Sequence, residues 1–98
     1  MKKDIKQLLQ TLQELKPVLT SRFAVKSIEV FGSYAKGEEN RQSDLDLLVS
    51  FENTPGLFKY MELENFLSDS LGIKVDLVMR DSIKPQLASS IFQTIITV

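Results

Sequence analysis

Apolar residues along this chain follow a helical period, then an extended one, then helical again. Between Asp4 and Leu19, residues Ile5, Leu8, Leu9, Leu12 and Leu15 recur at three- and four-residue steps, with lysines and glutamines between them. That spacing lines them up on one side of a helix. Asp4 is suited to cap its start, with Gln7 three positions on, and Pro17 is expected to bend or end it. Val25 to Phe31 is short, β-branched and runs straight into Gly32-Ser33, which predicts a strand. Tyr34 to Arg41 is small and polar, with Gly37 and Asn40 as turn signals, and reads as one helical turn followed by a loop. Leu45 to Phe51 is nearly continuous in apolar residues, the pattern of a strand covered on both faces. Asn53-Thr54-Pro55-Gly56 breaks it. Leu57 to Leu71 again has helical spacing, through Tyr60, Leu63, Phe66, Leu67 and Leu71, with Gly72 to close it. Ile73 to Met79 alternates, with Ile73, Val75, Leu77 and Met79 on one side and Lys74, Asp76 and Val78 on the other, a third strand. Ser82 is placed to cap a last helix carrying Pro85 in its first turn, and Ile83, Leu87, Ile91 and Ile95 recur every four residues along it.

The predicted order is α-β-(short α)-β-α-β-α. Three strands with helices packed on them give an α/β (α+β) layer structure, a small three-stranded mixed sheet flanked by helices. No repeat or linker divides the chain, so residues 1–98 are expected to form a single domain.

Composition narrows the chemistry more than the class. With 43% hydrophobic and 26% charged residues, the chain has the make-up of a soluble globular protein. Its net charge of -1 gives no reason to expect nucleic acid or an anionic membrane as a partner. Apolar runs fall well short of the roughly 20 residues that span a bilayer, so the cytoplasm is the expected location. Cysteine and histidine are both absent. Disulfides, thiolate metal sites, imidazole bases and Ser-His nucleophiles are therefore excluded. Any catalysis must rest on carboxylates, lysine or arginine, hydroxyls and backbone, and hard oxygen-ligated cations such as Mg²⁺ are the natural cofactor.

Two features carry that chemistry. Gly32-Ser33 follows a strand directly, and Lys36 comes one turn later. Asp44-Leu45-Asp46 heads the next strand, where residues two apart share a face roughly 6–7 Å apart. Two carboxylates so placed repel by a few kcal/mol at an effective dielectric of about 20. Asp76 is the one acid inside the run from Ile73 to Met79. If its strand lies beside that of Asp44 and Asp46, the three acids can converge on one or two metal ions. Otherwise Asp76 can serve as an ordinary ion-pair partner for Lys74 or Lys26. Glycine lets backbone approach phosphate oxygens, and the Ser33 hydroxyl with nearby N–H groups can donate to them. Lys36 can add charge to the phosphates or simply be a solvated loop lysine. Glu38, Glu39 and Arg41 read as solvated loop residues, and Tyr34 and Tyr60 as packing or surface residues. No residue marks itself as a reader of the base.

The stretch Phe31-Gly32-Ser33-Tyr34-Ala35-Lys36-Gly37-Glu38, followed by Ser43-Asp44-Leu45-Asp46-Leu47-Leu48-Val49, resembles the signature of the DNA polymerase beta-like nucleotidyltransferase superfamily. More narrowly, residues 5–96 resemble the minimal nucleotidyltransferase family, including Lys74-Val75-Asp76-Leu77-Val78 and the helix start at Lys84-Pro85. The resemblance implies Mg²⁺, two ions in all, at Asp44, Asp46 and Asp76 as the catalytic carboxylates. It implies a nucleoside triphosphate, ATP, held by Gly32 and Ser33, and the polymerase beta-like fold. Lys36 departs from it, since the family more often has arginine there, and a lysine keeps the charge without the bidentate fork. The family also implies an antitoxin acting with a helical HEPN-type toxin in a heteromeric complex, by transfer of AMP onto a tyrosine of that toxin. Two other readings stand beside it. One is a binding module that neutralises its partner by occlusion, and the other is nucleotidyl transfer to a small molecule such as an aminoglycoside.

Overall fold

The computed structural model describes residues 4–40 and 42–98. The expectation for Arg41 lies outside them. Helix α1 (Ile5–Phe23) opens with Asp4 accepting the N–H of Gln7 at 2.9 Å, as the capping pattern predicts. Pro17 neither ends nor interrupts it. The helix runs on to Phe23 because Leu19 and Phe23 are buried together with Leu8 and Leu12, and that burial outweighs one withheld backbone donor. Ala24 closes it in the left-handed conformation.

Strands β1 (Val25–Phe31) and β2 (Leu45–Phe51) have the predicted bounds, and the short helix between them, α2 (Gly32–Lys36), starts two residues earlier than expected, at the glycine-serine bend itself. Helix α3 (Leu57–Leu71) ends at Gly72 and leads into strand β3 (Val75–Met79). β3 starts two residues later than the alternation predicts. The last helix also differs from expectation. Arg80–Ser82 forms a 3-10 turn in which the Ser82 hydroxyl donates to the Met79 carbonyl at 2.8 Å, and helix α4 (Pro85–Phe92) starts from Lys84 instead. Ile83 and Ile95 therefore lie outside the helix that their spacing suggested.

The sheet is mixed, as predicted, but has four strands rather than three. Ile96–Thr97 forms β4, and the order is β3-β2-β1-β4. β1 is antiparallel to both its neighbours, and β2 and β3 are parallel, with α3 as the crossover. β1 would otherwise present an open edge, and the β-branched end of the chain covers it. A register shift between Val25 and Ser27 puts Val25 on the same face as Ile28 and Val30.

On that face α1 and α3 bury the main core, with Leu12, Leu67 and Leu71 packed over Leu45, Leu47, Val49, Val75 and Leu77. The other face carries the polar chemistry, with α4 lying over part of it. No helix among the described residues is long and apolar enough to cross a membrane.

Candidate active site

Register builds the site. Phe31 of β1 faces Asp46 of β2, and Asp46 faces Asp76 of β3. The three residues form one row across three strands, on the face opposite the main core. Asp44 lies just ahead of β2, and its Oδ2 is 3.7 Å from Nζ of Lys74. The ion pair considered for Asp76 is thus made by Asp44.

Asp46 is half-buried, and its carboxyl is pushed up to about 6. Burial is the first cause, followed by the negative charges of Asp76 and Asp44. The three acids therefore sit close enough to act on one another, which is what the sequence pattern requires of them. Asp76 is the most exposed of the set. Among the described residues no three acidic side chains stand close enough together to form a ready-made metal site.

The glycine-serine bend meets this row. Gly32 starts α2 with φ +74°, a conformation that side chains resist. A Cβ built there would run into the Asp46 carboxylate, lying 3.0 Å from its Cγ and 3.2 Å from its Cβ. Glycine is thus required twice, by its dihedral and by the carboxylate packed on its α-carbon. Ser33 is half-buried in the first turn of α2, and its carbonyl accepts the N–H of Glu38 at 2.8 Å, which closes the loop back on the helix. Lys36 is exposed in the last turn, ahead of Gly37. Tyr34 is buried at 3% exposure, while Tyr60 donates its hydroxyl to the Leu77 carbonyl at 2.5 Å. Both tyrosines pack, as expected.

One polar cluster on this face escapes the sequence reading. Glu29 of β1 is only 6% exposed, and its carboxylate is ion-paired to Arg80 in the turn after β3. The Arg80 guanidinium also stacks on Phe92 of α4, 4.7 Å from the ring centre. The signal that singled out Asp76, an acid inside an apolar strand, is present in Ile28-Glu29-Val30 as well. What the sequence does not carry is the partner, which the sheet order supplies.

The model of the nucleotidyltransferase domain family matches residues 5–97. The protein adenylyltransferase MntA of Thermococcus cleftensis is 43% identical over 95 residues, covering 90% of this chain and 96% of that protein. A relative in Methanocaldococcus jannaschii, provisionally named a protein adenylyltransferase, is 46% identical over 97 residues, 98% of this chain and 99% of that one. Among solved structures, one described provisionally as a minimal nucleotidyltransferase superposes with a TM-score of 0.80 at 33% identity, covering 98% of this chain and 97% of its own. A toxin–antitoxin crystal structure with AMP-PNP superposes with a TM-score of 0.67 at 26% identity, over 94% of this chain and 69% of that one.

Proposed function

This chain belongs to the nucleotidyltransferase domain family and is an enzyme of that kind; from there we propose that it is a cytoplasmic antitoxin, a single minimal domain that transfers AMP from ATP onto a tyrosine of a HEPN-type toxin with the help of Mg²⁺. The observation that carries the reading is the row Asp46–Asp76, with Asp44 beside it and Gly32 against the Asp46 carboxylate.

The residues fit a hard divalent cation. All three donors are carboxylates, a cation would offset the burial of Asp46 and the repulsion from Asp76 and Asp44 that together push its carboxyl up to about 6, and the bare α-carbon of Gly32 leaves room at the Asp46 carboxylate. Asp44, Asp46 and Asp76 would hold it. When bound, such an ion stabilises charge on the phosphate oxygens during in-line displacement.

The chain's own groups supply the rest. Backbone N–H groups at Gly32 and Ser33, with the Ser33 hydroxyl, donate to the triphosphate, and Lys36 adds a positive charge at the far end of α2. The acceptor hydroxyl oxygen attacks the α-phosphorus, and a new O–P bond forms. The bond from that phosphorus to the bridging oxygen breaks, and pyrophosphate leaves with the electron pair. The hydroxyl proton passes to Asp76, the carboxylate most open to an incoming acceptor.

A protein acceptor is supported by the relative named for that activity and by the toxin–antitoxin structure with its ATP analogue. The start of α3 adds a surface for such a partner, where Leu57, Phe58 and Met61 are 70%, 86% and 50% exposed. The same patch favours the second reading, neutralisation by occlusion. Intact-mass spectrometry of a HEPN-type toxin incubated with this protein, ATP and Mg²⁺ decides between them. A gain of one or more AMP units is expected. An unchanged mass, together with neutralisation that survives Asp44→Asn/Asp46→Asn, would leave occlusion standing alone.

A further inference from the structure

β3 forms one edge of the sheet, and every second residue of an edge strand turns its N–H and C=O away from the neighbouring strand. Lys74 faces β2, since its carbonyl accepts the Leu45 N–H at 2.9 Å, so Val75 and Leu77 face outward. Side chains of α3 meet them there. Ser68 Oγ accepts the Val75 N–H at 3.0 Å, and Glu64 Oε2 accepts the Leu77 N–H at 3.2 Å. The Tyr60 hydroxyl donates to the Leu77 carbonyl. Tyr60, Glu64 and Ser68 stand four residues apart, on one side of the helix.

We infer that Glu64, with Tyr60 beside it, is a positioning residue for Asp76: it holds the Asp76–Leu77 peptide from outside the sheet and so fixes where the Asp76 carboxylate stands. The inference rests on the proposed nucleotidyl transfer, in which Asp76 takes the acceptor's proton. Leu77 is clasped at both of its polar groups, and its N–H belongs to the peptide bond that Asp76 begins. Covering an edge needs only a neutral side chain, as Ser68 provides at Val75. At Leu77 the acceptor is a carboxylate, and such charge-assisted bonds are roughly twice as strong as neutral ones.

The acids themselves create the need for such a clasp. Asp76 is level with Asp46 in the parallel register, and its negative charge acts on the Asp46 carboxyl. Repulsion between the two pushes the edge strand outward, away from β2. The bonds from Glu64 and Tyr60 tie that strand to a helix anchored in the core by Leu63, Leu67 and Leu71. Burial first, then the charges of Glu64 and Asp76, raise the Tyr60 pKa from the ordinary tyrosine value. Its hydroxyl therefore stays protonated and remains a donor to Leu77 at neutral pH.

Three variants of the full chain test this. Glu64→Ala removes the acceptor, Glu64→Gln keeps one in its carboxamide oxygen, and Ser68→Ala removes only the edge bond at Val75. AMP transfer to a HEPN-type toxin is followed over a range of ATP with Mg²⁺, and exchange of the Leu77 amide proton by NMR without metal. In Glu64→Ala that proton should exchange about tenfold faster, as for the loss of one hydrogen bond. Its kcat should fall about tenfold, with KM for ATP within about twofold of wild type. Glu64→Gln should keep exchange and kcat within about threefold of wild type, and Ser68→Ala should keep kcat within about twofold. Wild-type kcat in Glu64→Ala, or an equal fall in Ser68→Ala, overturns the positioning role and leaves these side chains as edge cover. A fall in Glu64→Gln as deep as in Glu64→Ala overturns it too, because charge and not the bond to Leu77 would then matter. Wild-type protein that transfers no AMP removes the enzymatic reading and the positioning role with it. Should Glu64→Ala fail to fold, Tyr60→Phe carries the decision. It keeps the ring on Phe51, removes the bond to the Leu77 carbonyl and should lower kcat about threefold at unchanged KM; wild-type kcat there overturns the role.

Discussion

The α-carbon of Gly32 lies directly against the carboxylate of Asp46, where the glycine-serine bend meets the acidic strand. Any side chain at position 32 must both adopt φ +74° and push that carboxylate aside. Gly32→Ala should cost about 1–3 kcal/mol in stability from the dihedral. It should reduce AMP transfer far more, by about a hundredfold, because an ångström of misplacement in a catalytic group is felt at that scale. Urea unfolding beside single-turnover transfer measures the two effects separately. A variant that folds less stably yet transfers at the wild-type rate would remove Gly32 from the site.

Asp46 predicts an opposite pairing of stability and function. Its folded-state pKa is raised from 3.8 to about 6. The folded protein therefore holds this proton more tightly than the unfolded chain, and without metal its stability falls as pH rises from about 4 to about 6. Above that window Asp46→Asn should be the more stable protein, by about 1–2 kcal/mol once solvent screening is allowed for. Urea unfolding in a chelator at pH 4.5 and pH 7.5 checks the sign, since the advantage of Asn should be present at the higher pH and vanish at the lower. Mg²⁺ at pH 7.5 should raise the melting temperature of the wild type and leave the Asn variant unmoved.

Both halves of that site were legible because each is local. Gly32-Ser33 ends a strand, and Asp44-Leu45-Asp46 begins one, so the chain's own alternation fixes which way the acids point. Asp76 needed one further assumption, that β3 lies beside β2, and the parallel register grants it. The misjudged segments are those where distant contacts decide. Burial of Leu19 and Phe23 carries α1 through Pro17. The Met79 carbonyl captures the Ser82 hydroxyl that was expected to cap α4. The two residues of β4 pair with Glu29 and Val30, far back in the chain, and nothing within the Ile95–Val98 segment announces that edge.

Asp76 is exposed and carries little of the fold, which makes it the cleanest probe of the chemical step. Asp76→Asn keeps the shape of the side chain and removes the proposed proton acceptor. Stability should stay within about 0.5 kcal/mol of wild type, as for other exposed positions. The transfer rate at saturating ATP should fall by about 10²–10⁴-fold, the range for loss of a positioned base. Rapid-quench kinetics at saturating ATP distinguishes this from weakened binding, because a change confined to KM would place Asp76 among binding groups and not at the proton transfer.

Glu29 and Arg80 join β1 to the turn that enters α4, across a sequence separation of 51 residues. With Glu29 only 6% exposed, Arg80→Ala leaves a carboxylate uncompensated away from water, and the cost should be about 3 kcal/mol in urea unfolding. Replacing both ends with apolar residues, Glu29→Leu/Arg80→Met, removes the stranded charge and should return most of that loss. The double variant separates fold from positioning. Arg80 is also the group that stacks on Phe92 and anchors the turn leading to Ile83 and Lys84. If the ion pair serves to hold α4 over the polar face, the double variant should be nearly as stable as wild type and still transfer AMP more slowly. Equal transfer rates in the double variant and the wild type would mean that the apolar contacts of α4 are enough to set its place.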